Sequence, residues 1–268
     1  MAGNSNLHAS KADKADEFYT KLSLVENELK HYKRHFEGKT ILCNCDDPFE
    51  SNFFQYFALM FNTLEISKLI TTSYADSPIA GKEITLFPDG KTAYMTEVTE
   101  LRDWNGDGAE DLADIREYIL THGGCWERLK GNGDFRSDEC IKILREADVV
   151  VTNPPFSLFR EYVAQLMDYR KKFVIIGPIN AVTYKEIFPL IMKNKMFLGY
   201  SITSGDREFR VPDYYPLDAA GFRVDADGTK YLRIKGVRWY TNIPLKKYRE
   251  ELLLTFEYSP DKYPRYDN

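Results

Sequence analysis

Asn153-Pro154-Pro155-Phe156 sets an amide, two imino acids and an aromatic ring on four successive residues. The prolines fix φ and offer no N–H, so the stretch is stiff and its carbonyls have set directions. The amide oxygen of Asn153 and the carbonyl of Pro154 can both accept hydrogen bonds from one amino group. Phe156 offers a flat face to an aromatic ring. Together they suit an exocyclic amine on a planar base. The plainer alternative is a rigid strand-to-helix turn with a buried Phe.

The elements around the tetrapeptide decide whether that chemistry can be presented. Ala147 to Thr152 is β-branched and nearly continuous, which predicts a central strand buried on both faces of a parallel sheet. A helical stretch follows from Ser157 to about Arg170, so the tetrapeptide falls at the carboxyl end of a strand, where α/β sheets carry their functional atoms. The spacing of Leu22, Val25, Leu29 and Tyr32 predicts an amphipathic helix over Ser23 to Phe36, ended by Gly38. Thr40–Cys45, Lys68–Ser73 and Lys172–Gly177 read as further strands, and Asp47-Pro48 as a capped helix start. Helices are expected at Leu112–Leu120, Asp138–Glu146 and Thr183–Lys193. Glu83–Glu97 reads as a hairpin about Pro88-Asp89-Gly90, and Val224–Trp239 as one turning at Asp227-Gly228. The alternation of β and α predicts an α/β fold, with a mostly parallel central sheet, helices on both faces and a strand-rich C-terminal part. The expected division is a flexible arm over residues 1–15, a core over 16–200 with an insertion at about 76–124, and a C-terminal extension over 201–268.

Composition narrows the function classes. At 268 residues, 43% hydrophobic and 29% charged, the chain has an ample core and the balance of a globular domain. No run is apolar and long enough to span a bilayer, and Met1–Ala15 lacks a signal-peptide core, so a cytoplasmic protein without membrane contact is expected. The net charge of −5 argues against a surface that grips nucleic acid everywhere. Lys30–His35, Arg170–Lys172 and Lys246-Lys247 with Arg249 read as solvated faces before phosphate tracks. Cys43, Cys45, Cys125 and Cys140 have no zinc-finger spacing, and Cys43 and Cys45 alternate on a strand as small hydrophobes.

Further candidates fall at successive strand ends. Asp46 and Asp47 close the first strand after Asn44 and Cys45; their carboxylates can hold an ammonium group or accept from ribose hydroxyls, or simply cap the next helix. Ser73-Tyr74 close the second strand. Asp134 and Phe135 lie ahead of the helix that leads to the tetrapeptide, where an acid can accept from an adenine amino group and a Phe can pack on its ring. Asp16-Glu17-Phe18-Tyr19-Thr20 sets an aromatic pair among acids and a hydroxyl, and serves equally as a helix-cap segment docking on the core. Asp103 to Asp114, with oxygen-bearing side chains at positions one, three, five and nine and Gly108 at position six, follows a calcium-loop pattern ahead of a helix. Its last position is Asp where Glu is usual, and a metal-free acidic turn is the favoured reading.

These residues resemble the DNA adenine-N6 methyltransferases, most closely the EcoRI-type adenine methylase family. Asn153-Pro154-Pro155-Phe156 matches the catalytic motif of that class, Asp16 to Thr20 its amino-terminal cofactor segment, and Ile41 to Phe53 the EcoRI-type form of the first cofactor motif. Gly133 to Ser137, Ser204 to Pro212 and Gly236 to Asn242 are also similar, so the resemblance covers nearly the whole chain. The glycine-rich loop usual after the first strand of methyltransferases is replaced by the Asp-Asp-Pro turn, as in the EcoRI type. Family members continue beyond the equivalent of Lys262–Asn268, so part of a target-recognition region is expected to be missing.

The resemblance implies a Rossmann-like S-adenosylmethionine-dependent methyltransferase fold. It further implies methyl transfer to the N6 amino group of adenine in double-stranded DNA with the adenine flipped out, as in a restriction-modification system, with no metal and no obligate protein partner. Catalysis is then expected of Asn153, Pro154, Pro155 and Phe156, and cofactor binding of Phe18, Tyr19, Thr20, Asn44, Cys45, Asp46, Asp47, Tyr74, Asp134 and Phe135. The rival readings are methylation of RNA adenine or protein glutamine, and a non-catalytic cofactor-binding module.

Overall fold

The computed structural model describes residues 20–45, 51–75, 92–121, 125–201, 207–211, 221–245, 248, 259 and 261–263. The first four strands wind outward from the centre. They are β1 (Thr40–Asn44), β2 (Lys68–Thr72), β3 (Tyr94–Val98) and β4 (Trp126–Arg128). The chain then returns to the other side of β1 with β5 (Val149–Thr152) and β6 (Lys172–Pro178). With β7 (Phe197–Leu198) and β11 (Val237–Thr241), these form an eight-stranded sheet in the order β4-β3-β2-β1-β5-β6-β11-β7. Its centre, β2-β1-β5-β6, is parallel, and antiparallel strands flank it on both sides. The direction of winding reverses between β1 and β5. In open α/β sheets that switch point is where a crevice forms beyond the strand ends.

Helices cover both faces. Along β5, Val149 and Val151 join one hydrophobic cluster while Val150 joins the other. The same alternation separates Val174 and Ile176 from Phe173 and Ile175 on β6. The first cluster takes up α1 (Leu22–Leu29), α2 (Asn52–Leu59) and α3 (Leu112–Thr121). The second takes up α4 (Asp138–Glu146) and α5 (Phe159–Asp168). A short α6 spans Phe188–Met192. No helix among the described residues is long and apolar enough to cross a membrane.

Several boundaries differ from the sequence expectation. α1 stops at Leu29, and a 3-10 turn at Lys33–His35 replaces its predicted end. α2 begins at Asn52, capped by the Ser51 side chain, which accepts from the N–H groups of Phe53 and Phe54; the predicted Asp47 start lies outside the described residues. The hairpin at Asp227-Gly228 forms between β9 (Phe222–Val224) and β10 (Lys230–Ile234), and its second arm ends there. Gly236, at φ 68°, turns the chain into the main sheet, and a Cβ at this position would sit 2.3 Å from Ile179 Cγ2. A division at residue 200 therefore does not separate the two sheets: β11 belongs to the first, and only β8 (Arg207–Arg210), β10 and β9 make the second.

In the insertion, Asp103 Oδ1 accepts from the N–H groups of Gly106 (2.6 Å) and Asp107 (3.1 Å). Asp114, fully buried, accepts from Asp111, Trp104 and Asn105, bonds that hold its carboxyl below the usual carboxylate range. The acids thus tie down backbone, and among the described residues no group of three or more His, Cys, Asp or Glu is placed to hold a metal ion.

Glu208 fastens the small sheet to the start of α1. It receives two bonds from Arg223 (3.0 and 2.9 Å) and one from Lys21 Nζ (3.0 Å), which together lower its pKa from 4.5 to about 2. A carboxyl depressed in the folded state stabilises above its unfolded pKa and ceases to do so as pH falls through the folded one. The stability gap between the protein and Glu208→Gln is thus expected to be full above about pH 4.5 and to shrink toward about pH 2. Denaturant unfolding at a series of acidic pH values measures it, and a constant gap contradicts the assignment.

Candidate active site at the switch point

β1 and β5 run in register, Ile41 beside Val149 and Leu42 beside Val150, so Asn44 and Thr152 end together. Thr152 Oγ1 donates to the Asn44 carbonyl at 2.6 Å and locks the two ends. One residue further on stand Cys45, bent into the left-handed region at φ 61°, and Asn153. The tetrapeptide and the Asn44–Cys45 turn are thus neighbours across the switch point.

Within the tetrapeptide, Pro154 is buried, and the Asn153 amide oxygen lies out of solvent. Pro155, at φ −54°, leads into a 3-10 turn over Phe156–Leu158, whose Leu158 N–H returns to the Pro155 carbonyl. Phe156 is 4% exposed and belongs to the cluster containing Phe53 and Val151. The sequence suggested an open aromatic face there; the structure places the ring beneath the loop as packing.

α5, the helix after the tetrapeptide, holds both Asn44 and the Phe135 segment. Tyr162, fully buried, donates its hydroxyl to the Asn44 amide oxygen and meets the Phe135 ring edge-on at 5.0 Å. Gln165 Nε2 donates to the Phe135 carbonyl (3.0 Å), and Glu161 accepts from Arg136 (2.9 Å). Sequence reading passed over Tyr162. Its place on the apolar stripe of α5 was the available signal, because a buried Tyr hydroxyl needs a partner.

Asp134 is bound up with Arg136, whose Nε and Nη2 donate to its two carboxylate oxygens at 2.9 and 2.7 Å. These bonds, foremost those to Asp134, push the guanidinium further above its usual range. Phe135 is buried at 4% exposure. Tyr74 follows β2, and its hydroxyl accepts from Asn132 Nδ2 at 3.4 Å. Thr20 is buried too; its carbonyl accepts from Asn52 Nδ2 (2.7 Å) at the start of α2. Its hydroxyl is buried with no hydrogen-bond partner among the described residues. An orphaned hydroxyl beside the first strand-to-helix connection fits a site that takes a polar cofactor, because such a group is costly to leave unbonded. Phe18, Tyr19, Asp46 and Asp47 lie outside the described residues. Cys125 and Cys140 have thiols raised in pKa by burial, which argues against a nucleophilic role.

Gly133 allows the close approach on which this arrangement depends. It has φ 81°, and a Cβ there would lie 2.1 Å from the Ser73 carbonyl oxygen at the end of β2. Gly133→Ala is therefore expected to cost about 2–3 kcal/mol by forcing the Asp134–Phe135 turn away from the end of β2. Gly131→Ala, whose Cβ would meet nothing closer than 4.0 Å, is the control. Thermal melts and calorimetry on both variants check this, and equal behaviour would mean that the close approach does not matter.

The chain matches the family described as adenine-specific methyltransferase EcoRI over residues 6–268. It is 40% identical over 269 residues to the Type II methyltransferase M.EcoRI of Escherichia coli, covering 100% of this chain and 78% of that protein. To the Type II methyltransferase M.MgeORF184P of Mycoplasma genitalium it is 34% identical over 267 residues, 97% of this chain and 73% of the other. To the Type II methyltransferase M.MpnI of Mycoplasma pneumoniae it is 32% identical over 265 residues, 96% and 71%. No solved structure matches. With the tetrapeptide and the end of β1 meeting at the switch point of an α/β sheet, and these relatives covering nearly the whole chain, the protein belongs to the adenine-specific EcoRI methyltransferase family.

Proposed function

We propose that this adenine-specific DNA methyltransferase uses S-adenosylmethionine to methylate N6 of an adenine flipped out of duplex DNA, as the modifying half of a restriction-modification pair. The observation that carries this reading is the stiff Asn153 loop at the end of β5, tied through Thr152 to Asn44 on β1. When bound, S-adenosylmethionine supplies an electrophilic methyl group on a sulfonium. The chain's part is to hold and polarise the amine that receives it. Adenine's amino nitrogen is a poor nucleophile because its lone pair is delocalised into the ring. Hydrogen bonds from that amino group to Asn153 Oδ1 and the Pro154 carbonyl favour a tetrahedral nitrogen and stabilise the positive charge that develops there. Fixed placement of the two reactants supplies most of the barrier reduction, where about 7–11 kcal/mol is attainable. Extruding the base costs about a few kcal/mol.

The roles follow the family resemblance. Pro154 and Pro155 keep the acceptors still, and Phe156 supports the loop from the core. Thr20, Asn44, Cys45, Tyr74, Asp134 and Phe135, with Phe18, Tyr19, Asp46 and Asp47, hold the methyl donor. We assign the protein to the cytoplasm, acting on the cell's DNA without an obligate protein partner. Incubation with methyl-labelled S-adenosylmethionine and genomic DNA, followed by nucleoside analysis, tests the reading. Labelled N6-methyladenine is expected. Label found in RNA or protein instead, or donor binding without product, overturns it.

A further inference from the structure

Arg160 is the second residue of α5 and is exposed. The amino-terminal end of a helix carries positive partial charge, so a cation there needs another reason. Arg160 makes no ion pair among the described residues. The adjacent Glu161 is engaged by Arg136, and Glu186 lies 3.9 Å from Lys185. Arg160 instead lays its guanidinium over the Tyr184 ring, 5.1 Å from the centroid. The ring is anchored in turn. Its hydroxyl donates to Asn180 Oδ1 (3.3 Å), and the Tyr184 N–H donates to the Ala181 carbonyl (3.0 Å). Asn180 is exposed and lies just past the end of β6. Two neighbouring strand ends thus build a platform one helical turn beyond the catalytic tetrapeptide. A guanidinium held by its face keeps its N–H edge for a planar, bidentate acceptor.

We propose that Arg160, seated on Tyr184, binds a DNA backbone phosphate beside the adenine undergoing methylation. The inference rests on the function proposed above and adds a substrate-binding residue to it. A cation that reads the backbone holds the strand in place without reading its sequence. In a protein of net charge −5, such contacts must be local, which makes each one visible in the salt dependence of binding.

The test is equilibrium binding of a labelled random-sequence DNA duplex over a range of salt concentrations, for the protein, Arg160→Gln and Arg160→Lys. For Arg160→Gln, the slope of log affinity against log salt is expected to be shallower by about 0.9, one phosphate contact's worth. Arg160→Lys restores the slope because it keeps the charge. S-adenosylmethionine affinity, measured by calorimetry, stays unchanged in both variants and reports that each is folded. A role confined to tying α5 to the end of β6 would leave the slope alone. Equal slopes for the protein and Arg160→Gln overturn the assignment while the adenine methyltransferase reading stands. A protein that binds no duplex DNA at any salt overturns both.

Discussion

Asn153→Ala is expected to lower the turnover number for methyl transfer by a factor of about 10²–10³ or more, the usual cost of deleting one fixed group that stabilises developing charge. Donor affinity should stay within about twofold, because an interaction made chiefly in the transition state is absent from the ground-state complex. The backbone supports this split. β5 ends at Thr152, whose hydroxyl is bonded to the Asn44 carbonyl, and truncation at residue 153 leaves that bond in place. Asn153→Asp keeps an acceptor oxygen and should fall between the two. Single-turnover assays give the chemical step and calorimetry the donor affinity. Undiminished turnover in Asn153→Ala would remove the tetrapeptide from the mechanism.

The second large effect is on stability. Glu28, on α1, is fully buried. Its Oε1 accepts from the Tyr200 N–H (2.7 Å) and the Tyr32 hydroxyl (2.7 Å), and its Oε2 from the Ser201 N–H (2.6 Å). Burial, then the nearby Glu28 charge, pushes the Tyr32 phenol far above its usual range, so Tyr32 remains a donor at all relevant pH. Glu28→Ala takes the acceptor from one buried hydroxyl, that of Tyr32, and from two part-buried backbone N–H groups, those of Tyr200 and Ser201. The buried hydroxyl costs about 1–3 kcal/mol and the two part-buried N–H groups less, because water can reach them, so the expected loss is about 2–4 kcal/mol. For a chain of this size that lowers the melting temperature by about 10 °C. Tyr32→Phe removes one bond of the three and should cost less. A melt of Glu28→Ala indistinguishable from that of the parent protein would contradict the network.

What could be read from the sequence was local. α4 falls at Asp138–Glu146, as its periodicity requires, and Ser137 caps it through the Cys140 N–H. β5 and β6 announce themselves as short runs apolar on both faces. The tetrapeptide carries its chemistry in consecutive residues, so no long-range knowledge was needed to single it out. The remainder depends on residues far apart in the chain. Nothing near Glu28 indicates that its partners lie at Tyr200 and Ser201, and a charge on the inward face of a helix reads as an interruption of the apolar pattern. Tyr162 reaches Asn44 only because β1 and β5 are neighbours, which periodicity does not reveal. Phe156 was read as an open aromatic face because its neighbours suggested chemistry, and tertiary packing placed it in the core. Asp227-Gly228 turns the chain as its residue types require, but the arm after it stops at Ile234 because Gly236 redirects the backbone.

The late arrival of β11 has a consequence during synthesis. This strand fills the gap between β6 and β7, pairing Val237 with Pro178 and Thr241 with Val174 on one side and Tyr240 with Leu198 on the other. On the ribosome, β6 must wait with one row of backbone donors and acceptors unclaimed until Thr241 has left the exit tunnel. Its apolar Phe173–Ile176 stretch is then a template for other nascent chains. Messages truncated before codon 237 should accordingly yield aggregates or chaperone-bound fragments in place of a smaller soluble enzyme.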